Sequence, residues 1–501
     1  MKKAVFLCAV AFLVLMRAAI APAESQTELV IAQTAEVNSL DPARHNSITD
    51  VNYTIQVFDT LYILDEQGKP VPRLAQSHRI VNPTTWEFKL RPGVKFHDGT
   101  AMTAKDVKLS IDRMIDPQTK ALFANFWGSI KEVRAVDILT VQIVTKSPDP
   151  ILLKRLTLDL PIVPADLFLK EGAEKFFQHP VGTGPFKFVS WTRNDRMILD
   201  ANEAYWDGAS KIKRLIIRPI PEAATRLAEL QTGNADIAPA IPPFLVEQLK
   251  GSPSATVQSV PGGRVMFLYL NTLAKGPLQD KRVRQALNYA INRKAIIDNV
   301  LKGSGIEVGD CLTPYHFGYD ASLKPFPYDP AQAKKLLAEA GFAKGLKLVF
   351  NSPNGRFILD KEIAEAIAGM FREVGIQTEM KVHEWGSYVQ MMNAFKLEDI
   401  GFIGWGNTLS DADGTFSPLF TATPFSYYNN QALTEKIAKA RTMMDEKARL
   451  GLYREIQKEL VNEAAVGFLY EQVDHYGVSR SLKGFHARGD EWLIVYKASK
   501  Q

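Results

Sequence analysis

The chain has 501 residues and carries 60 Lys and Arg against 55 Asp and Glu, a net charge of +5. That near balance excludes the clustered basic surface of a nucleic-acid binder, and two cysteines exclude a disulfide-stapled scaffold. The length suits about three domain-sized units, whose stability must come from buried apolar core.

Lys2 and Lys3 precede an apolar run from Ala4 to Met16, and Ala21-Pro22-Ala23 is a small-x-small cleavage signal before Glu24. The run is too short to span a bilayer, so residues 1–23 are expected to be a secretory signal peptide. Cys8 lacks the small residues of a lipoprotein site before it, so release without a lipid anchor is expected. The remaining Cys311 reads as a small buried apolar side chain.

The run ELVIAQT at 28–34 predicts a buried strand. Residues 62–180 read as an α+β insert: Trp86 to Leu90 alternates as a strand, Thr103 caps a helix carrying Val107, Ile111 and Met114, and Val141 to Thr145 alternates again. In PVGTGPFKFVSW, Gly182 and Gly184 permit a tight turn before a strand at 186–189. No helix N-terminus or Lys-Ser/Thr pair follows, which argues against a phosphate loop and for a structural turn bordering a ligand cleft, with Thr183 and Gly184 as candidate contacts.

In DKRVRQALNYAINRKAIIDNVLKG, residues 280–303, Val283, Ala286, Leu287, Ala290 and Ile291 mark one helical face. Asn292 is placed to cap a second helix stapled by Ile291 and Ile296 and closed at Gly303. Asp329-Pro330 starts a further helix that ends at Gly341. A strand at 346–350, a helix with Ile363, Ile367, Phe371 and Val374, and strands at 377–382 and 400–403 imply parallel crossovers. Residues 465–470 read as a strand, and 492–496 as a possible last one. Two or three strands are expected to cross between domains, without a flexible tether.

Motifs of catalysis are missing: no G-x-S-x-G, no H-E-x-x-H and no Walker loop occurs. The eight histidines are scattered singly, without metal-ligand spacing, and neither a metal nor a cofactor is expected. Asp411 and Asp413 sit in GWGNTLSDADGTF, directly after the 400–403 strand. Ligands of α/β sheets bind at the carboxyl ends of strands, which favours a binding site there over a surface turn.

SLDPA near Leu40, WEFKLRPGVKFHDGTAMTAKDV, PVGTGPFKF, RVRQALNYAINR and the GW loop form five ordered blocks. Together they resemble the solute-binding proteins of ABC importers for peptides, nickel, glutathione and opines. The resemblance implies an α/β clamshell of the periplasmic-binding-protein kind, with an extra α+β insert in the first lobe. Lobe I would comprise 24–61, 181–262 and 476–501, the insert 62–180 and lobe II 263–475. It implies a monomeric periplasmic receptor, not an enzyme, that closes on a small solute and delivers it to permease subunits in the inner membrane.

Within that resemblance Trp405 matches a cleft residue. The acid by which dipeptide binders receive an amino group is replaced here by Asn407 or Thr408. Their arginine for the ligand carboxylate aligns at Asn354, two residues before Arg356. A peptide-like or opine-like solute is therefore expected rather than a plain dipeptide. Arg356 is either an anchor for an anionic group or a solvent-facing residue. Trp405, Tyr427 and Tyr428 are either aromatic walls or core. Rival readings are a receptor for a metal chelate or sugar conjugate, and a secreted hydrolase.

Overall fold

The computed structural model describes residues 28–501 except Asn46, Phe123 and Asp159, and leaves out the side chain of Asn125. The signal peptide expected at 1–23 lies outside the described residues.

Two long antiparallel strands, Ala255–Leu270 and Val466–Ser479, form the spine of an eleven-stranded sheet. Ala255 to Pro261 pair with Val473 to Ser479; the register then slips, and Val265 to Tyr269 pair with Val466 to Glu471. The slip is built from Gly262 and Gly263. Gly263 has φ +60°, and a Cβ on Gly262 would lie 2.1 Å from Asp474 Oδ2, so neither position tolerates an ordinary side chain. Such an irregularity bends and twists the paired strands.

On one flank of the spine lie Ile237–Ala238, Glu28–Gln33, Arg214–Pro219, Arg196–Ala201 and Phe186–Thr192, in that order. On the other lie Ile400–Gly406, Leu346–Pro353 and Ile376–His383. Leu346–Pro353 runs parallel to both of its neighbours, and the helix Asp360–Glu373 makes the crossover the sequence implies. Gly341 and Gly375 close their helices with φ +94° and +91°. A separate four-stranded antiparallel sheet, in the order Ala75–Asn82, Thr85–Leu90, Thr140–Thr145, Ile130–Asp137, packs on the helix Ala104–Ile115.

Separate apolar clusters fill these layers. One gathers Leu29, Ile31, Phe58, Phe186 and Leu215; another gathers Phe267, Leu287, Phe350, Ile363 and Phe468; a third, under the four-stranded sheet, gathers Trp86, Phe88, Val107 and Ile143. Each fully buried Leu, Ile or Phe contributes roughly 1.5–3 kcal/mol. Val283, Ala286, Leu287, Ala290 and Ile291 are all fully buried, as their spacing predicts. Cys311 is buried as well.

The 280–303 segment differs from its pattern in one respect. Asn292 accepts from Ala295 N at 2.9 Å as a cap, but the helix Arg293–Ala295 widens into a π-turn, Ile296–Val300, before Gly303. Arg293 is buried and its guanidinium donates to the carbonyls of Asn288, Ile291, Phe326 and Phe468. The segment's polar letters thus tie its own turn to the spine.

Residues 492–496 do not form the expected strand. Asn52 donates to the Glu491 carbonyl and accepts from Leu493 N, and Gln56 donates to the Leu493 carbonyl. Side chains therefore satisfy the backbone there, while Leu493 and Val495 are buried in the first cluster. Strand pairing resumes only between Ser499–Lys500 and Leu482–Lys483.

Candidate functional site

Trp405 and Gly406 end the strand Ile400–Gly406, and Gly406 lies opposite Arg264, just past the slip in the spine. A Cβ on Gly406 would come within 3.2 Å of both terminal nitrogens of Arg264, so glycine lets the guanidinium lie flat on the strand end. Arg264 also pairs with Glu491 at 3.3 Å. Glu491 has φ +62°, a left-handed backbone uncommon for a residue with a side chain. Its carbonyl is held by Asn52.

Arg356 approaches the same place from the loop after Leu346–Pro353. The Asp360 carboxylate accepts from the backbone N–H groups of Gly355, Arg356 and Phe357 at 2.9–3.0 Å, fixing the loop. The Arg356 guanidinium lies over the rings of Phe357 and Trp385, 5.2 and 5.3 Å from their centroids. It is solvent-accessible, and among the described residues no hydrogen bond or ion pair engages it. Surrounding protein, and then the charge of Arg264, push its pKa down, while Glu491 and Asp360 push it back.

Asp411 and Asp413 are brought together but are already engaged. Arg449 grips Asp411 with two guanidinium nitrogens at 2.5 and 3.1 Å, and both side chains are buried. Asp411 also accepts from Asp413 N at 3.0 Å. Asp413 pairs with Arg441 at 3.1 Å and accepts from Ser417, and burial raises its pKa. Asn407 is buried and donates to the Asp411 carbonyl and Thr415, so it shapes the loop from within, whereas Thr408 is exposed. Trp405 donates to the Gly414 carbonyl at 2.9 Å and is half-buried against Phe425.

Three expected contacts lie elsewhere. Tyr427 is 2% exposed, with its hydroxyl donating to the Met392 carbonyl, and is a core residue rather than a cleft wall. Thr183 is fully buried and donates to Asp59, which also binds Arg73, Tyr205 and Trp206. Gly184 hydrogen-bonds Val57, whose backbone leaves no room for a Cβ. The Gly-Thr-Gly turn thus knits the chain at 57–59 to its surroundings. His97, kept neutral by burial, completes that seam by donating to the Gly184 carbonyl.

Two residues of the 62–180 segment, Lys154 and Gly68, reach the GW loop. Lys154 donates to the Ser410 carbonyl, lies 3.8 Å from Asp411 Oδ2 and sits over the Phe317 ring. Burial pushes its pKa down to about 8 against the pull of Asp411. Gly68 packs where a Cβ would lie 2.5 Å from Ser410 Oγ and from the Tyr315 carbonyl.

Behind Arg264, burial pushes Glu471 up to about 7, and burial and then Glu491 push Asp474 up to about 7. A carboxyl harder to ionise when folded stabilises the fold below its unfolded value, near 4.5 for Glu471, and that contribution is lost as pH rises through about 7. Urea unfolding across this window is expected to show stability falling with pH, and Glu471→Gln to flatten the slope. A variant retaining the full wild-type slope would refute this origin.

Sequence reasoning missed Arg264, Glu491 and Lys154. The Gly262-Gly263 break before Arg264 was a usable signal; Glu491 and Lys154 carry none. Among the described residues no group of His, Cys, Asp and Glu is placed to hold a metal ion, and no helix is long and apolar enough to cross a membrane.

A family model for bacterial extracellular solute-binding proteins, family 5, matches residues 69–427. The chain is 29% identical to the glutathione-binding protein GsiB of Pectobacterium atrosepticum, over 94% of this chain and 93% of that protein. Among solved structures, HbpA2 from Haemophilus parasuis superposes with TM-score 0.86 at 26% identity, covering 95% of this chain and all of that one. The ABC transporter-associated periplasmic binding protein DppA from Helicobacter pylori, in complex with the peptide STSA, gives TM-score 0.77 at 28% identity, covering 94% and 98%.

Proposed function

The chain belongs to the bacterial extracellular solute-binding proteins of family 5 and has their clamshell fold, and from that membership we propose that it captures a small, anionic, peptide-like or opine-like solute. It serves an ABC importer as the solute receptor. It works as a monomer released into the periplasm after cleavage at Ala23, and hands its solute to the permease subunits. The relatives above are binding proteins, of glutathione and of a peptide by their names. That supports a peptide-like solute and gives the hydrolase reading no support.

The observation that carries the solute class is Arg356, a guanidinium that is accessible, stacked on two aromatic rings and, among the described residues, engaged by no hydrogen bond or ion pair. Guanidinium binds a carboxylate through two parallel hydrogen bonds. Trp405 and Thr408 line the approach in this reading; Asp411, Asp413 and Asn407 hold the loop that presents them. Lobe I (24–61, 181–262, 476–501) with its insert (62–180) and lobe II (263–475) close about the slip in the spine. The separate apolar clusters support setting lobe II apart, while Val163, Phe168, Phe176 and Phe177 of the insert pack into the lobe I cluster.

A solute touching both lobes favours the closed state. Solution scattering is expected to give a smaller radius of gyration once the solute found by mass spectrometry on the purified protein is added back to stripped protein. An unchanged radius at saturation would defeat capture by closure.

A further inference from the structure

Two guanidiniums and one carboxylate converge at the end of the Trp405 strand, each from a different part of the chain. Arg264 comes from the spine just past its slip, Arg356 from the loop fixed by Asp360, and Glu491 from the C-terminal segment. The charge of Arg264 acts on the Arg356 guanidinium, and Glu491 and Asp360 act on it in the opposite sense. Two guanidiniums at one strand end attract a ligand carboxylate. The Glu491 carboxylate stands 3.3 Å from Arg264. A second ligand carboxylate is repelled there and an ammonium attracted. Glu491 is held in place by a left-handed backbone and by Asn52, so its charge is preset rather than recruited.

The geometry points to Arg264, Arg356 and Glu491 as a specificity-determining clamp for an α-amino-acid head, a carboxylate and an ammonium borne on one carbon. The head lies antiparallel to the Arg264–Glu491 ion pair, its carboxylate shared by the two arginines and its ammonium on Glu491. No proton or bond is transferred. A plain dipeptide carries its ammonium and carboxylate on opposite ends and cannot offer both to this short pair. The γ-glutamyl end of glutathione and an N-(1-carboxyethyl) amino acid each can. The clamp also explains how the chain manages without an acid at Asn407 or Thr408: the negative charge comes from the opposite side of the cleft. This inference rests on the reading of the cleft as the solute site.

The test is calorimetry with glutathione, an N-(1-carboxyethyl) amino acid, the amine-acetylated form of each, and alanyl-alanine. Wild type is expected to bind a free-headed compound at least about tenfold more tightly than its acetylated form and than alanyl-alanine, the loss of one charge-assisted hydrogen bond. Glu491→Gln is expected to shrink the acetylation penalty to about threefold or less while melting near the wild-type temperature. Arg264→Gln is expected to weaken free-headed and acetylated forms alike, because both keep the carboxylate, and Arg264→Lys to recover part of that loss. If free-headed and acetylated forms bind wild type equally, or Glu491→Gln leaves the penalty intact, the clamp is wrong although the cleft reading stands. If alanyl-alanine alone binds, the clamp is likewise overturned. If no member of the panel binds, the peptide-like or opine-like reading falls, and the clamp with it.

Discussion

Arg356→Ala is expected to weaken binding of the best anionic conjugate in a calorimetric panel by on the order of tenfold to a hundredfold. The loss corresponds to one charge-assisted interaction of about 1.5–3 kcal/mol. The fold should not suffer, because the side chain is accessible and the loop is held through its backbone by Asp360. Arg356→Lys should recover only part of the affinity, since an ammonium cannot make the planar two-bond contact. An Arg356→Ala protein that keeps full affinity for its best anionic ligand would return Arg356 to the role of a solvent-facing cation resting on Phe357 and Trp385.

Asp411→Ala is expected to lower stability by roughly 3–5 kcal/mol, the usual cost of stripping one partner from a buried ion pair. It leaves the Arg449 guanidinium, 5% exposed, without its carboxylate, and Lys154 beside it without a counter-charge. Urea unfolding followed by circular dichroism measures this, with the second lobe expected to lose structure first. The double variant Asp411→Leu with Arg449→Met should recover part of the loss, because the Arg449 charge is then no longer stranded, although Lys154 still lacks the Asp411 carboxylate. A single Asp411→Ala variant within about 0.5 kcal/mol of wild type, the range of ordinary surface substitutions, would mean the pair contributes little, and would free Asp411 for a direct part in binding.

The way these two acids were read from sequence marks a boundary. Asp411 and Asp413 were legible as a close pair of carboxylates on a loop after a strand; Asp411 does lie there, while Asp413 opens the helix Asp413–Phe420. Their partners Arg449 and Arg441 come from distant helices, and nothing local announces them. The same holds for Thr183, whose partner Asp59 lies 124 residues away. A polar side chain in a glycine-rich turn looks the same in sequence whether it faces a ligand or a buried carboxylate.

What the sequence determined by itself is everything written between near neighbours. Helices and their caps rest on spacings of three and four and on a side-chain oxygen reaching a backbone N–H three residues on, as at Asn292 and Asp329. Strands rest on alternation, and helix ends on glycines with positive φ. Five ordered motif blocks added the family and hence the clamshell. The segment at 492–496 failed because its apolar run, Trp492 to Tyr496, reads as a strand, while its backbone groups were claimed by Asn52 and Gln56 from far away in the chain. Only the tertiary structure decided the cleft. Arg264 and Glu491 meet across 227 residues, and Lys154 reaches Ser410 across 256. Charges this distant in sequence are placed by the slip in the spine and by which faces of the sheet are buried. A binding site made of such charges has no local signature, because its residues owe their positions to packing and not to one another.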